Sequence, residues 1–197
     1  MFEYLQNQLP HLKQRIEEYD RLCDRKEVPP RTILLREGEI SRKAFYIEKG
    51  CVRIWFNNNG MDITFQFAFE KRFVSSAESF RNNIPSLFTI ETIEPSVIQS
   101  ISKKDYEQIM IEMNNEPAFL NMIISSLFER QLYYMKEFLS FVRDSPQQRY
   151  LNLLNDKPYI IKRVPQHYIA SYLGISSVHL SRIRNKIIKE KKPKNLS

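Results

Sequence analysis

A chain of 197 residues, 42% hydrophobic and 27% charged, has the composition of an ordinary soluble globular protein. Its length leaves room for one large domain and one smaller domain. It contains no apolar run of about 18 residues that would cross a bilayer, and residues 1–6 lack the basic start and apolar run of a secretory signal. Composition therefore argues against a membrane protein and predicts a cytoplasmic one.

Charge is unevenly distributed along the chain, whose net charge is +7. From Pro146 to the C-terminus eleven lysines or arginines stand against two acidic residues, a net charge of +9, so residues 1–145 carry −2. A basic module joined to a mildly acidic one is typical of a protein that presents one end to phosphates. A solvated basic tail has the same composition and is the alternative interpretation.

Potential metal ligands are scarce. The chain contains two cysteines and three histidines, which are Cys23, Cys51, His11, His167 and His179. Two separated thiols support neither a disulfide framework nor a cluster held by four thiolates, and residues 32–101 contain no histidine. The sequence therefore predicts no metal site, no cofactor and no enzyme of the metal-dependent β-barrel class.

The N-terminal half of the chain predicts one helix followed by short strands. Residues 3–24 carry apolar side chains at helical spacing, interrupted by Pro10. After Pro29-Pro30, runs rich in β-branched and aromatic residues lie at roughly 32–37, 44–49, 51–57, 61–69, 73–74, 87–93 and 97–101. Seven short strands at this spacing predict an antiparallel sandwich or barrel.

Alternation within these strands predicts which side chains are buried. One face of the fourth run carries Ile63, Phe65, Phe67 and Phe69, and the opposite face carries Asp62, Thr64 and Gln66. In the third run, Val52, Ile54 and Phe56 alternate with Arg53 and Trp55. The intervening Asn57-Asn58-Asn59-Gly60 predicts a hairpin turn, because asparagine and glycine tolerate positive φ.

Two helices are predicted next, from about Ser102 to Met113 and from Pro117 onward. The longer one has the 3.5-residue apolar repeat of a coiled-coil seam, formed by Leu120, Ile124, Leu127, Gln131, Tyr134, Phe138 and Phe141. A second apolar stripe is formed by Phe128, Leu132, Met135, Leu139 and Val142. We expect one stripe to pack on the β-domain and the other to face a twin helix in a parallel homodimer. A core helix buried on two sides of a monomer is the alternative.

Arg143-Asp144-Ser145-Pro146 predicts a hinge, and the run from Val164 to Arg184 beyond it has the form of a helix-turn-helix. Ala170 is small where two helices cross, and Gly174 supplies the turn. The residues spaced to fill the core between the two helices are Ile169, Leu173, Ile175, Leu180 and Ile183. The second helix would enter the major groove with its N-terminal residues toward the bases. The candidate DNA-binding residues are Ser176, Ser177, Val178, His179, Ser181, Arg182, Arg184 and Lys186. Arg182 is the first choice for a base contact, because a guanidinium can bond two guanine acceptors at once. An ordinary helical hairpin is the alternative.

The chain resembles the Crp/Fnr family of transcription regulators. The resemblance rests on Gly38-Glu39, on the run from Phe45 to Ile54, and on the order of barrel, long helix and helix-turn-helix. It covers nearly the whole sequence and implies a homodimer that reads a roughly palindromic operator and contacts RNA polymerase. The expected fold class is α+β, with a cyclic-nucleotide-binding-like antiparallel jelly-roll barrel in residues 1–116. A dimerisation helix and hinge are expected in 117–145, and an all-α helix-turn-helix domain in 146–197.

The cassette that holds cyclic phosphate in this family is altered here. Glu78 matches its acidic residue, but Ala77 and Leu87 stand where the family's cyclic-nucleotide binders have glycine and arginine. Without that bidentate contact a phosphate would be poorly held, so we expect no binding of cyclic AMP. The candidate pocket for another effector comprises Glu78, Arg81, Phe65, Phe67 and Phe80. The cysteine count and the lack of a barrel histidine argue against the iron–sulfur and haem versions of the family.

A further expectation concerns the C-terminal domain. Residues 189–197 are too few for a hairpin after the recognition helix, so any wing is predicted before it, around Tyr159–Lys162.

The sequence as a whole predicts a DNA-binding transcription regulator with an unknown effector or none. The alternative is a ligand-sensing or interaction dimer whose DNA-binding domain is vestigial, and DNA affinity distinguishes the two.

Overall fold

The computed structural model describes residues 9–191, and side chains of residues 9–190. A 3₁₀ turn at Pro10–Leu12 leads into helix α1, Lys13–Arg21. Eight strands follow: β1 Asp24–Val28, β2 Ile33–Leu35, β3 Lys43–Lys49, β4 Val52–Asn58, β5 Met61–Ala68, β6 Arg72–Val74, β7 Thr89–Thr92 and β8 Ser96–Ser102. Helix α2, Ala77–Asn82, lies between β6 and β7. The later helices are α3 Lys103–Glu112, α4 Pro117–Arg143, α5 Pro146–Asp156, α6 Pro158–Arg163, α7 Gln166–Tyr172 and α8 Ser177–Lys191.

The strands form two antiparallel sheets of four, in the orders β1-β8-β3-β6 and β2-β7-β4-β5. Their inner faces share one apolar core, in which Ile47, Val52 and Ile90 are completely buried. The predicted turn between β4 and β5 is present, since the backbone N–H of Gly60 donates to Oδ1 of Asn57 at 2.9 Å. Gly60 has a φ of +87°. The expected α+β fold with an antiparallel jelly-roll is confirmed.

A second core joins the N-terminal segment to the start of the long helix. Leu9, Ile16 and Tyr19 pack with Met113 and Phe119. The predicted N-terminal helix is observed only as α1, and the part of the prediction before Leu9 lies outside the described residues. Its extension to residue 24 is wrong, because β1 begins at Asp24 and pairs with β8. The sequence pattern missed β1 because this edge strand is almost wholly exposed and has no apolar alternation.

Local capping explains where the helices begin. Oγ of Ser102 accepts from the backbone N–H of Asp105 at 3.1 Å and caps α3, and Oγ of Ser145 accepts from that of Gln148 at 3.2 Å and caps α5. Pro117 and Pro146 occupy first-turn positions, where a missing N–H costs nothing. The predicted break at Arg143–Pro146 is therefore observed. No helix in residues 9–191 is long and apolar enough to traverse a lipid bilayer.

The predicted faces of β5 are wrong beyond its middle. Trp55 pairs with Thr64 and Ile54 pairs with Gln66, so Phe65 is the extra residue of a β-bulge, which shifts the alternation. Thr64 is 1% exposed, whereas Phe65 is 40% exposed. Phe67 pairs with Arg53 and, like Arg53, is buried beneath the C-terminal helices rather than in the barrel.

The predicted wing at Tyr159–Lys162 is also wrong. These residues lie in helix α6, where Pro158 occupies the first turn and Ile160 is 3% exposed. The β-branched run was indistinguishable in sequence from a short strand, since brief apolar segments fit either period. In the fold it packs with Tyr150, Leu153 and Val164 in the core of the C-terminal helices.

Candidate nucleic-acid interface

Helices α7 and α8 form a tight two-helix unit around a glycine turn. Gly174 has a φ of +68°, and its N–H donates to the Ser171 carbonyl at 3.0 Å. Oγ of Ser176 accepts from the backbone N–H of His179 at 3.2 Å and caps α8. Ala170 and four of the five residues predicted to fill the core between the helices are at most 5% exposed, namely Ile169, Leu173, Leu180 and Ile183. The fifth, Ile175, is only partly buried. The small residue at 170 and the glycine at 174 thus stand where close packing and a left-handed turn require them.

The predicted DNA-binding residues share one outward surface of this unit, with one exception. Ser176, Ser177, Val178, His179, Ser181, Arg182 and Lys186 are exposed. Arg182 makes no hydrogen bond or ion pair within residues 9–191. Arg184 is half-buried instead, and its Nη1 donates to Oε1 of Gln166 at 2.8 Å. Lys186 Nζ lies 3.2 Å from Oε1 of Gln147. Arg182 is therefore the guanidinium on this surface that is free to bind an external acceptor.

Arg149, which sequence reasoning counted only as basic charge, braces the turn. Its Nη2 donates to the Leu173 carbonyl at 2.8 Å, and its Nη1 donates to the carbonyls of Phe141 and Asp144. The guanidinium also lies 4.4 Å from the centre of the Phe141 ring. One side chain therefore connects the end of α4, the hinge and the helix-turn-helix. This role of Arg149 is visible only from its hydrogen bonds to three backbone carbonyls. No local sequence pattern predicts these bonds.

The face of α7 away from α8 packs on the outer surface of the β-sheet. Oγ of Ser171 donates to the Asp62 carbonyl at 2.8 Å and accepts from the Thr64 N–H at 2.9 Å. This one hydroxyl therefore forms two hydrogen bonds with the backbone of β5. The Tyr172 ring lies 5.2 Å from that of Phe67. These contacts explain why polar Thr64 is buried on a face that sequence alternation assigned to solvent.

Arg53 fills the same interface. Its guanidinium lies 4.5 Å from the centre of the Trp55 ring and 4.0 Å from that of Tyr168. It is 4% exposed, and its charge is compensated by Glu91 at 2.8 Å and Asp62 at 3.2 Å. A buried arginine requires such partners, because an unpaired charge is expensive to remove from water.

A second ionic contact joins α6 to the barrel. Arg163 donates to Glu70 through Nη1 at 2.9 Å and through Nη2 at 2.7 Å, and it also pairs with Glu94. The Arg163 guanidinium lowers the pKa of Glu70 to about 2, because it stabilises the carboxylate. Next to it the Tyr159 ring meets Phe69 edge-on at 4.9 Å.

This depressed pKa predicts how the contact responds to pH. A carboxylate with a lowered pKa contributes stability above its ordinary value of 4.5, and the contribution disappears as pH falls toward 2. We therefore expect Glu70→Gln to reduce the free energy of unfolding by a constant amount from pH 6 to pH 8. Below about pH 4 the difference from wild type should shrink. Denaturant melts at several pH values measure it, and a difference that grows in acid would contradict the assignment.

A third contact joins α4 to the C-terminal helices. Lys157 Nζ lies 2.5 Å from Oε1 of Glu137, and the hydroxyl of Tyr172 donates to the same carboxylate. Lys157 also lies 4.6 Å from the centre of the Tyr133 ring. Burial, followed by the nearby Tyr133 and Glu137, raises the pKa of Tyr172, which therefore remains a neutral donor. Tyr133 and Glu137 define the face of α4 that its own chain covers.

The two apolar stripes of α4 are largely exposed. In the predicted seam Leu120 is half-buried and the six later residues are exposed, but Tyr134 and Phe141 still touch their own chain. Tyr134 donates to Oε1 of Gln66 at 2.9 Å, and a Cβ at Gly174 would come within 2.8 Å of the Phe141 ring. The second stripe has exposures between 46% and 69% along Phe128, Leu132, Met135, Leu139 and Val142. We expected one stripe to pack on the β-domain, but neither does so over its length.

A small cavity of about 220 Å³ lies between α2 and α4. Its lining is Ser75, Ser76, Ala77, Glu78, Ser79, Pro85, Leu87, Phe88, Arg130 and Tyr134. Of the candidate effector residues only Glu78 lines it. Phe80 packs against Tyr106 in the core, and Phe67 lies under Tyr172. Arg81 and Phe65 are exposed outside this lining. Within residues 9–191, no cluster of three or more histidine, cysteine or acidic residues could hold a metal ion.

Comparison with known proteins agrees with this architecture. Residues 25–112 match the family model described as cyclic nucleotide-binding domain. The chain is similar over 90% of its length to the structure of CLP, the c-di-GMP responsive global regulator of Xanthomonas campestris, of which 92% is covered. The TM-score is 0.71 and the sequence identity is 19%.

Two further structures give the same result. FixK2 from Bradyrhizobium japonicum is similar with a TM-score of 0.69 and 12% identity, over 85% of each chain. A CooA mutant from Carboxydothermus hydrogenoformans gives 0.68 and 16%, over 88% of this chain and 79% of that one. No curated protein sequence matches the chain significantly. At these identities the likeness shows the fold: a cyclic-nucleotide-binding-type barrel, a long helix and a helical C-terminal unit.

Proposed function

We propose that the chain is a non-enzymatic, cytoplasmic transcription regulator of the Crp/Fnr type that binds specific DNA sequences as a homodimer. The observation that carries this proposal is the outward surface of α8, where the exposed Arg182 has no hydrogen-bond or ion-pair partner among residues 9–190. That surface belongs to the segment with a net charge of +9. Structural similarity to a protein described as a global regulator supports the same function.

Residues in the N-terminal half of α8 would recognise the DNA bases. Ser177, Val178, His179 and Ser181 are short or flat side chains that allow the helix to approach base edges, and Arg182 reaches guanine N7 and O6. Arg184 and Lys186, whose side chains contact Gln166 and Gln147, would bind phosphates. Phosphate contacts fix register, whereas base contacts specify sequence.

The second copy would dock on the exposed side of α4. The face carrying Tyr133 and Glu137 is occupied by the chain's own C-terminal helices, which leaves Phe128, Leu132, Met135, Leu139 and Val142 on the opposite side. Their spacing of four and three residues is the repeat of a two-stranded coiled coil. We therefore assign the dimer seam to this stripe, with the first predicted stripe at its flank. Contact with RNA polymerase would follow from the family resemblance.

The cavity beside Glu78 is proposed not to hold a cyclic nucleotide. Leu87, which is 70% exposed, stands at the position of the phosphate-binding arginine in the family resemblance. We expect calorimetric titration with cyclic AMP to give no binding at micromolar concentrations. A micromolar dissociation constant would contradict this prediction, because it would require another cation, Arg81 or Arg130, to replace the bidentate phosphate contact.

Selection from random double-stranded DNA tests the proposed function. The purified protein should enrich a pseudo-palindrome whose half-sites lie about one helical turn apart, because a two-fold symmetric dimer presents two recognition helices. If no sequence is enriched and binding is weak and uniformly salt-sensitive, the DNA-binding domain is vestigial. The protein would then be an interaction or ligand-sensing dimer, and the cavity at Glu78 would be its functional site.

A further inference from the structure

Helix α7 has two opposed faces, each with its own partner. Ile169, Ala170 and Leu173 pack on α8, whereas Tyr168, Ser171 and Tyr172 contact the outer face of the β-sheet. The residues of the second group are spaced i, i+3 and i+4, which places them on one side of a helix. The helix that supports the recognition helix is therefore itself supported by the barrel.

The contact fixes α7 along the strand direction. Oγ of Ser171 bonds one carbonyl and one N–H of β5, so sliding by one residue would break both bonds. Arg53 below it is paired with Glu91 and Asp62 and lies against the Tyr168 ring. Both ion partners of Arg53 belong to the barrel, and α7 contributes the Tyr168 ring that covers the guanidinium. The specific part of the packing is therefore the pair of Ser171 hydrogen bonds together with this ring contact.

Two further contacts lie outside the contact between α7 and β5. They restrict rotation of the C-terminal helices on the barrel. Arg163 on α6 forms ion pairs with Glu70 and Glu94. The orientation of the Glu70 carboxylate is fixed because its Oε1 accepts a hydrogen bond from the Gly50 N–H at 3.0 Å. Lys157 and Tyr172 bind Glu137 on α4. The DNA-facing residues of α8 stay exposed in this arrangement. The contacts therefore orient the recognition helix without covering its reading surface.

We propose that the outer face of strands β4 and β5 is a positioning surface for DNA binding, which fixes the distance between the two half-sites that the dimer accepts. This inference rests on the proposed function. A dimer gains affinity from a two-half-site operator only if its geometry allows both halves to engage at once. With α7 fixed on the barrel, one spacing satisfies both recognition helices. Ser171, Arg163, Glu70 and Glu94 are thus positioning residues that touch no DNA.

The test is binding of the full-length protein to a panel of operators whose half-sites are moved apart or together by one or two base pairs. Wild type should prefer one spacing by about 100-fold, and Arg163→Gln and Ser171→Ala should each reduce this preference to roughly tenfold or less. Affinity for a duplex with a single half-site should stay unchanged. A loss of folding alone would lower both affinities together, so the ratio separates positioning from stability. Ser171→Ala is the milder variant if Arg163→Gln is unstable.

A matched control and a coupling measurement sharpen the result. Lys26→Gln removes the same charge from exposed strand β1 and should leave the spacing profile unchanged. The double variant of Arg163→Gln and Glu70→Gln should relax the profile no further than Arg163→Gln alone, because Arg163 takes part in both ion pairs of this contact. A wild-type profile in the positioning variants would overturn the inference and leave the proposed function intact. Tighter binding by these variants would overturn it too, since the contact would then be inhibitory. A wild type without sequence preference would overturn both.

Discussion

Replacing both Met135 and Leu139 with glutamate is expected to convert the dimer into monomers and to weaken binding to a two-half-site operator by about 100-fold or more. These residues are 46% and 52% exposed in the single chain. Each lies two residues beyond Tyr133 or Glu137, about 200° around an α-helix and so opposite the face that its own chain covers. Pairing of the helices would remove two carboxylates per helix from water in an apolar seam, which costs free energy.

Sedimentation velocity and operator binding by fluorescence anisotropy measure this prediction. Ile111→Glu is the matched control, because Ile111 is a large apolar residue that is 73% exposed and belongs to α3 rather than to α4. It should stay dimeric and bind DNA as wild type does. A double variant that remains a dimer would place the seam elsewhere. A monomer that binds the operator undiminished would show that pairing contributes nothing to recognition.

Arg182→Ala is expected to cost about 1–3 kcal/mol of binding free energy on the selected operator and to relax the preference at one base pair of each half-site. The reason is that its guanidinium is exposed and is bonded to nothing within residues 9–191, so it is free to bond two acceptors of guanine. Removing it leaves the fold unchanged, since it contributes to neither the core of the two-helix unit nor its cap.

The measurement is affinity for the operator and for variants changed at each position. Lys189→Ala is the matched control, because Lys189 is an exposed cation two turns further along α8. It should weaken all sequences equally and lower the salt slope by about one unit if it touches a phosphate. An Arg182→Ala profile of the same uniform kind would show that Arg182 contacts phosphate and not a base.

Local signals made much of the fold predictable. The turn at Gly60, the helix start near Ser102, the break at Arg143–Pro146 and the glycine turn at 174 each depend on a few neighbouring residues, and all are found as predicted. The core between α7 and α8 was equally predictable, because the spacing of apolar residues within one segment determines it. These features need no knowledge of distant parts of the chain.

Contacts between distant segments were not predictable. Arg53 and Thr64 were assigned to solvent because their strands alternate, yet both are buried once the C-terminal helices pack on the sheet. The bulge at Phe65 depends on the register of two strands, which alternation does not specify. Arg149 and Arg163 look in sequence like phosphate-binding charge, and only tertiary contacts reveal them as braces. Similarly, α4 carries two apolar stripes, and only the structure shows that the chain contacts the first at Tyr134 and Phe141 and leaves the second exposed.

The most direct test of the central claim is the ratio of affinities for the selected operator and for a scrambled duplex of equal length at physiological salt. A sequence-specific regulator should show a ratio of at least about 1,000, with part of the operator affinity insensitive to salt. A ratio near one, with the same steep salt dependence on both duplexes, would contradict it. The basic C-terminal segment would then be an electrostatic surface, and the chain would not read DNA.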